Sequence, residues 1–255
     1  GRDALGWHLV DDSLTPVVLR AVVGSTAHGL ALEGHDDRDE MGVFIAPPER
    51  VLGFRVLEHH IERTQPEGVR SGPGDLDLSL YELRKFLRLA LAGHPSILML
   101  LFAEPLEANE HGLQLRKMSD RFVSREAGKR FLGYMCGQRS RLTGERGQRV
   151  KRPELIQRHG YDTKYAMHML RLGIQGVEFM QTGQISLPVP EPHRSELMRV
   201  RRGEITEGEV LTWAGGLETE LDLAIRTADV PDHADHGLVE AWMLRAYRET
   251  WGWSA

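Results

Sequence analysis

The spacing of apolar residues changes once along this chain. In the first third they come in short runs of strand type. Residues 16–23 (PVVLRAVV) are rich in β-branched side chains and end at Gly24, which predicts a buried strand. Residues 25–30 read as a tight turn with a short helix, and 34–39 as a charged loop. A second strand is predicted over 40–45, stopped by Pro47 and Pro48. Residues 56–63 are a third candidate, and 68–74 form a glycine-rich loop. Residues 75–80 alternate polar and apolar, as a strand with one buried face does. From Tyr81 the spacing turns helical: Leu83, Phe86, Leu87 and Ala90 predict a helix over 81–92. Gly93 and Pro95 break it, and Pro95 suits the first turn of the next helix.

Beyond residue 104 the pattern is helical nearly throughout, with helices predicted over 110–119, 125–140, 163–182, 193–202, 207–228 and 237–250. The expected fold class is therefore α+β: a mixed half, residues 1–105, followed by an all-helical half, residues 106–255. With 255 residues and 41% hydrophobic composition, either one large domain or two small ones can hold a core.

Charge and cysteine usage narrow the partners. The net charge of −5 excludes a global basic field for gripping nucleic acid and leaves room only for a local patch. The single cysteine, Cys136, excludes a disulfide framework and a multi-cysteine zinc site; it reads as a buried small hydrophobe. Residues 1–10 lack a leader pattern, and the longest apolar run, 97–103, is too short to span a bilayer. A cytoplasmic protein without a membrane partner is expected.

Candidate chemistry concentrates in residues 24–47, GSTAHGLALEGHDDRDEMGVFIAP. A Gly-Ser at a strand-to-helix turn lets backbone N–H groups approach a phosphate. Asp37 and Asp39 are two apart, so an extended backbone turns both carboxylates to one side. Carboxylates held that close repel unless a cation lies between them, and hard oxygen donors suit Mg²⁺ bound together with phosphates. Asp77 is the candidate third carboxylate, with Asp75 of the same parity as its competitor.

Gly24-Ser25, then Asp37-x-Asp39, then a later strand aspartate resembles the signature of polymerase-beta-like nucleotidyltransferases. More narrowly, the chain is similar to a bacterial and phage group of predicted nucleotidyltransferases associated with RNA ligases. Matching positions are Gly24, Ser25, Ala27, Gly29, Asp37, Asp39, Gly42, Val43, Pro47 and Pro48, and the likeness continues through 81–102 and 160–172. Departures are His28 for a tyrosine, Asp36 for a serine, His94 for an asparagine and Met99 for a glutamate. The resemblance implies a small palm-like, mixed-sheet catalytic domain packed on the helical one. It implies transfer of a nucleoside monophosphate from a nucleoside triphosphate to an acceptor hydroxyl, with two Mg²⁺ ions. By the same resemblance Gly24 and Ser25 would hold the triphosphate, and Asp37, Asp39 and Asp77 the metal ions. Lys164 would face the phosphates. An RNA end, tRNA included, is the expected acceptor; nucleotidylation of a protein or small molecule, and a silent binding module, are the rivals.

Remaining features carry bland readings beside the functional ones. Lys164, His168 and Arg171 share one helix face, as a salt-bridged stripe or a phosphate-facing one. His59-His60 and His233/His236 have no recognised zinc partner set. The arginine-rich residues 139–158 are either a solvated connector or a contact for an anionic partner.

Overall fold

Three connections set the order of the sheet. The computed structural model describes residues 12–34, 36–144 and 152–254; residues 1–10, where no leader pattern is expected, and residues 145–151 of the basic stretch lie outside them. Strand β1 (Val17–Val23) runs into helix α1 (Gly24–Ala27), and β2 (Arg38–Phe44) returns antiparallel beside β1. After the short helix α2 (Pro48–Val51), strands β3 (His59–Arg63) and β4 (Leu76–Glu82) pair antiparallel, and β4 lies parallel to β2. Strand β5 (Pro105–Ala108) closes the far edge against β1, giving a mixed sheet in the order β3-β4-β2-β1-β5.

The helices follow in chain order: α3 (Leu83–Leu91), α4 (Pro95–Phe102), α5 (Glu110–Lys117), α6 (Arg125–Leu142), α7 (Pro153–His159), α8 (Thr163–Thr182), α9 (His193–Arg201), α10 (Glu207–Thr227) and α11 (His236–Trp251). The fold is α+β, as the spacing predicts. Helices α6, α8 and α10 pack on one another, and α9 lies against α8. Helix α11 returns to the sheet: the Tyr247 hydroxyl donates to Glu82 at 2.6 Å, and Trp251 Nε1 donates to the Ala46 carbonyl at 2.9 Å. Buried apolar side chains of the sheet and of the helices join in a single cluster. No single helix among the described residues is long and apolar enough to cross a membrane.

Three local differences from the expected elements have physical reasons. Tyr81 and Glu82 belong to β4, because the Glu82 carboxylate caps α3 by accepting from the Arg84 N–H at 2.9 Å. Residues 105–108 become a strand because the free edge of β1 supplies their backbone partners; four residues are too few to show a period. Helix α7 falls inside the basic stretch, begins at Pro153 and buries no residue, so it has no apolar stripe to read.

Candidate active site

Sheet topology brings three chain segments to one end of the sheet. Because β1 and β2 are antiparallel, Val23 pairs with Asp39, and the Gly24-Ser25 corner emerges beside that aspartate. Because β2 and β4 are parallel, Asp39 stands opposite Asp77 near the start of both strands. Asp37 immediately precedes β2. One carboxylate oxygen from each of Asp37, Asp39 and Asp77 lies within 4.8 Å of the other two, and all three residues are half-buried. This is the only cluster of metal-ligating side chains among the described residues.

Gly24 has a φ of +66°, and a Cβ placed there would run into the Asp39 carboxylate. Both the backbone conformation and the close approach demand glycine. Ser25, in the first turn of α1, is 7% exposed.

Electrostatics single out Asp39. Burial, then the charges of Asp37 and Asp77, push its carboxyl up from 3.8 to about 6, against the pull of Lys164. Such mutual repulsion is what a bound divalent cation relieves, and three hard oxygen donors at this spacing fit a hard divalent cation. Asp77 is oriented by Gln65 Nε2, which donates at 3.0 Å, and by the Ser71 hydroxyl, which donates at 2.9 Å; Arg63 stands 3.7 Å away. Gln65 and Ser71 also contact each other. Asp75 is occupied elsewhere, accepting from the Gly72 N–H at 2.9 Å and the Thr64 hydroxyl at 3.1 Å, which closes the loop before β4.

The helical half grips the loop between the two motifs. Lys164 Nζ donates to Asp36 at 2.6 Å, and Arg201 of α9 donates to both Asp36 oxygens at 2.8 Å. Asp36 also accepts from the Leu32 N–H at 2.7 Å. Burial acts to raise the Asp36 carboxyl, but these donors outweigh it and hold the group down at about 2. The extra negative charge beside Asp37 is therefore tied into a buried ion triad, and of the three neighbouring carboxylates it is the weakest contributor to the rise at Asp39. Two turns along α8, Arg171 donates to His28 Nε2 at 2.8 Å, and the Gln175 amide lies 3.1 Å from His28 Nδ1. Arginine can only donate, so His28 is neutral with its Nε2 lone pair turned to Arg171. Burial and the nearby Arg171 and His168 hold the His28 imidazole well below its ordinary pKa.

A family model described as the RNA repair pathway DNA polymerase beta family matches residues 8–243. The chain belongs to this family. Membership in the RNA repair pathway DNA polymerase beta family makes it a polymerase-beta-like nucleotidyltransferase by descent. No curated protein matches the chain. Among solved structures, a nucleotidyltransferase-like protein from Exiguobacterium sibiricum 255-15 matches with 11% identity and a TM-score of 0.31, over 92% of this chain and 75% of that one.

Other sequence candidates fall away from this site. His233 pairs with Glu126 at 2.9 Å, and His59 stacks on Tyr81 across β3 and β4. Cys136 is half-buried on α6 rather than buried, and burial, then Glu218, push its thiol up. Sequence reasoning missed Gln65, Ser71, Arg201 and Gln175. Gln65 and Ser71 reach Asp77 from the loop between β3 and β4, and Arg201 and Gln175 reach Asp36 and His28 from helices far along the chain, contacts that no local spacing encodes.

Proposed function

We propose that this family member transfers a nucleoside monophosphate from a nucleoside triphosphate to an acceptor hydroxyl and releases pyrophosphate. The observation that carries this reading is the convergence of Asp37, Asp39 and Asp77 beside the Gly24-Ser25 corner. In this reading residues 1–105 are the catalytic domain and residues 106–255 the helical domain packed on it, with the triphosphate bound between them. Asp37 and Asp39 would hold two Mg²⁺ ions, and Asp77 one of them. Bound there, the ions would neutralise phosphate charge and raise the nucleophilicity of the hydroxyl. Asp77, aimed by Gln65 and Ser71, accepts the hydroxyl proton as the new O–P bond forms at the α-phosphate. The bond to the β-phosphate breaks, and the electron pair leaves with pyrophosphate. Gly24 and Ser25 seat the polyphosphate tail. Lys164 has three donors and spends one on Asp36, so it can also face a phosphate.

We take an RNA end as the acceptor. The family's description links it to RNA repair, and the arginine-rich residues 139–158 offer a local contact for a phosphate backbone despite the net charge of −5. The test is incubation with each labelled nucleoside triphosphate, Mg²⁺ and total RNA. Label on RNA that disappears in Asp77→Asn supports the reading; label on the protein or a small hydroxyl compound would move the acceptor to another class. No Mg²⁺-dependent label anywhere would defeat it.

A further inference from the structure

Arg171 is a charged side chain without a counter-charge. It is half-buried on α8. Its hydrogen bonds go to His28 Nε2 at 2.8 Å and the Gln175 carbonyl oxygen at 2.9 Å, both neutral groups, and its Nε has no acceptor. No carboxylate among the described residues pairs with it. Burial alone pulls the guanidinium down, to about 10, so it stays charged at neutral pH.

The surroundings add positive charge. His168, one turn before Arg171 on α8, is held well below its ordinary pKa by burial and then by Arg171, Lys164, Arg152 and Arg201. Of those four cations, Lys164 and Arg201 share Asp36, and Arg152 pairs with Asp162 at 3.3 Å. Two carboxylates thus serve three cations, and Arg171 is left over. Donor capacity is likewise in excess: Arg171 Nε, Arg201 NH1 and Arg152 Nε all lack an acceptor, and so does His168 Nδ1 lack a partner. A folded chain does not gather unmatched positive charge and spare N–H donors inside itself without cost; leaving a buried ion uncompensated is strongly destabilising. An anion between α8, α9 and the motif loop removes both deficits at once, and guanidinium forks suit phosphate oxygens.

We infer that Arg171, with His168 and Arg201, forms a binding site for a phosphate-class anion, distinct from the carboxylate cluster and filled from the motif-loop side. Arg171 sits about 10 Å along α8 from Lys164, at 1.5 Å per residue, while Arg201 reaches the Asp36 carboxylate that Lys164 also holds. Its occupant is either the polyphosphate tail of the nucleotide or a terminal phosphate on the acceptor RNA. Only the identity of that anion rests on the nucleotidyl-transfer reading.

The experiment is calorimetric titration and thermal unfolding of the full chain in EDTA. The probes are inorganic tripolyphosphate and, separately, a 5′-phosphorylated RNA oligonucleotide with its 5′-hydroxyl counterpart. Wild type should bind at least one phosphate probe. Arg171→Met should weaken that binding about ten-fold or more while raising the melting temperature of the ligand-free protein, since it deletes an unmatched charge. Arg171→Lys, which keeps the charge and loses the fork, should fall between them and serves if the methionine variant does not fold. Asp37→Asn/Asp39→Asn should bind the probe at least as tightly as wild type, because the anion site does not use the carboxylate cluster. Competition of ATP with tripolyphosphate assigns the site to the nucleotide; preference for the 5′-phosphorylated over the 5′-hydroxyl RNA assigns it to the acceptor. Absence of binding to either probe, or binding unchanged in both Arg171 variants, overturns the inference. An inactive wild type that still binds through Arg171 would remove the transferase reading and leave this site standing.

Discussion

Asp39 on β2 stands directly opposite Asp77 on the parallel strand β4, and the two share their end of the sheet with Asp37. Like charges at this separation make the metal-free fold pay for its own carboxylate cluster. Replacing Asp77 with asparagine keeps the shape and removes one charge. The metal-free Asp77→Asn protein should melt higher than wild type at pH 7.5, by about 2–4 °C for each kcal/mol of repulsion relieved. The stabilisation that Mg²⁺ gives wild type should shrink or vanish in the variant, and transfer activity with it. Thermal unfolding with and without Mg²⁺ checks all three; a lower metal-free melting temperature would contradict the repulsion argument.

The pH dependence follows from the same group. The folded-state carboxyl of Asp39 sits at about 6 against an ordinary 3.8. Between those values the folded chain keeps a proton that the unfolded chain has lost. Stability from this group is therefore lost as pH rises from about 4 to about 6. Asp36 has the opposite sign: held at about 2, it contributes stability above its unfolded value that disappears only as pH falls towards 2. Metal-free wild type should accordingly show a downward step in melting temperature between about pH 4 and 6 that Asp39→Asn lacks and that Mg²⁺ flattens. A step that persists in Asp39→Asn belongs to another group.

Asp36 is the buried anion on which Lys164 and Arg201 meet, its side chain only 3% exposed. Asp36→Asn leaves two cations without their carboxylate, which costs about 3–5 kcal/mol by analogy with other broken buried pairs. Urea denaturation should show that loss. Asp36→Ser, which restores the residue expected from the family motif, should be destabilised too, because this chain has built its loop contact around a carboxylate.

Legibility in the sequence followed the range of the interactions. Residues 163–182 were readable to the residue as a helix, because α8 carries its own apolar period and is capped by Asp162, which accepts from the Tyr165 N–H at 2.9 Å. The Gly24-Ser25 and Asp37-x-Asp39 pair was readable because each lies within one local segment. That Asp77 rather than Asp75 meets them depends on the β2–β4 register, which spacing alone leaves open between residues of equal parity. The stripe of Lys164, His168 and Arg171 was visible as a stripe, but its burial was not: a basic helix face reads the same in water as against a loop.

Glu82 and Tyr247 test whether the return of α11 matters to stability alone. The phenol donates to the buried carboxylate at 2.6 Å and accepts from the Arg84 N–H at 3.2 Å. Tyr247→Phe strands both partners and should cost about 1–3 kcal/mol. The Mg²⁺ response should be unchanged, since neither residue belongs to the carboxylate cluster. A variant that unfolds like wild type in urea would show that water replaces the hydroxyl.

Gly24 is the most demanding position in the candidate site, and its substitution separates backbone from chemistry. A side chain there meets two costs. Holding a non-glycine residue at a φ of +66° costs about 1–2 kcal/mol, and the new Cβ collides with the Asp39 carboxylate. The collision can be relieved by moving Asp39, because the obstructing atom is the end of a side chain. Gly24→Ala should therefore fold, with a modest drop in melting temperature, but with Asp39 displaced from Asp37 and Asp77. Activity should fall much further than stability, and excess Mg²⁺ should restore part of it if the displaced carboxylate weakens metal binding. Asp39→Asn should show no such rescue, since it removes the ligand itself. Equal responses to Mg²⁺ in the two variants would mean that Gly24 acts on the nucleotide and not through Asp39.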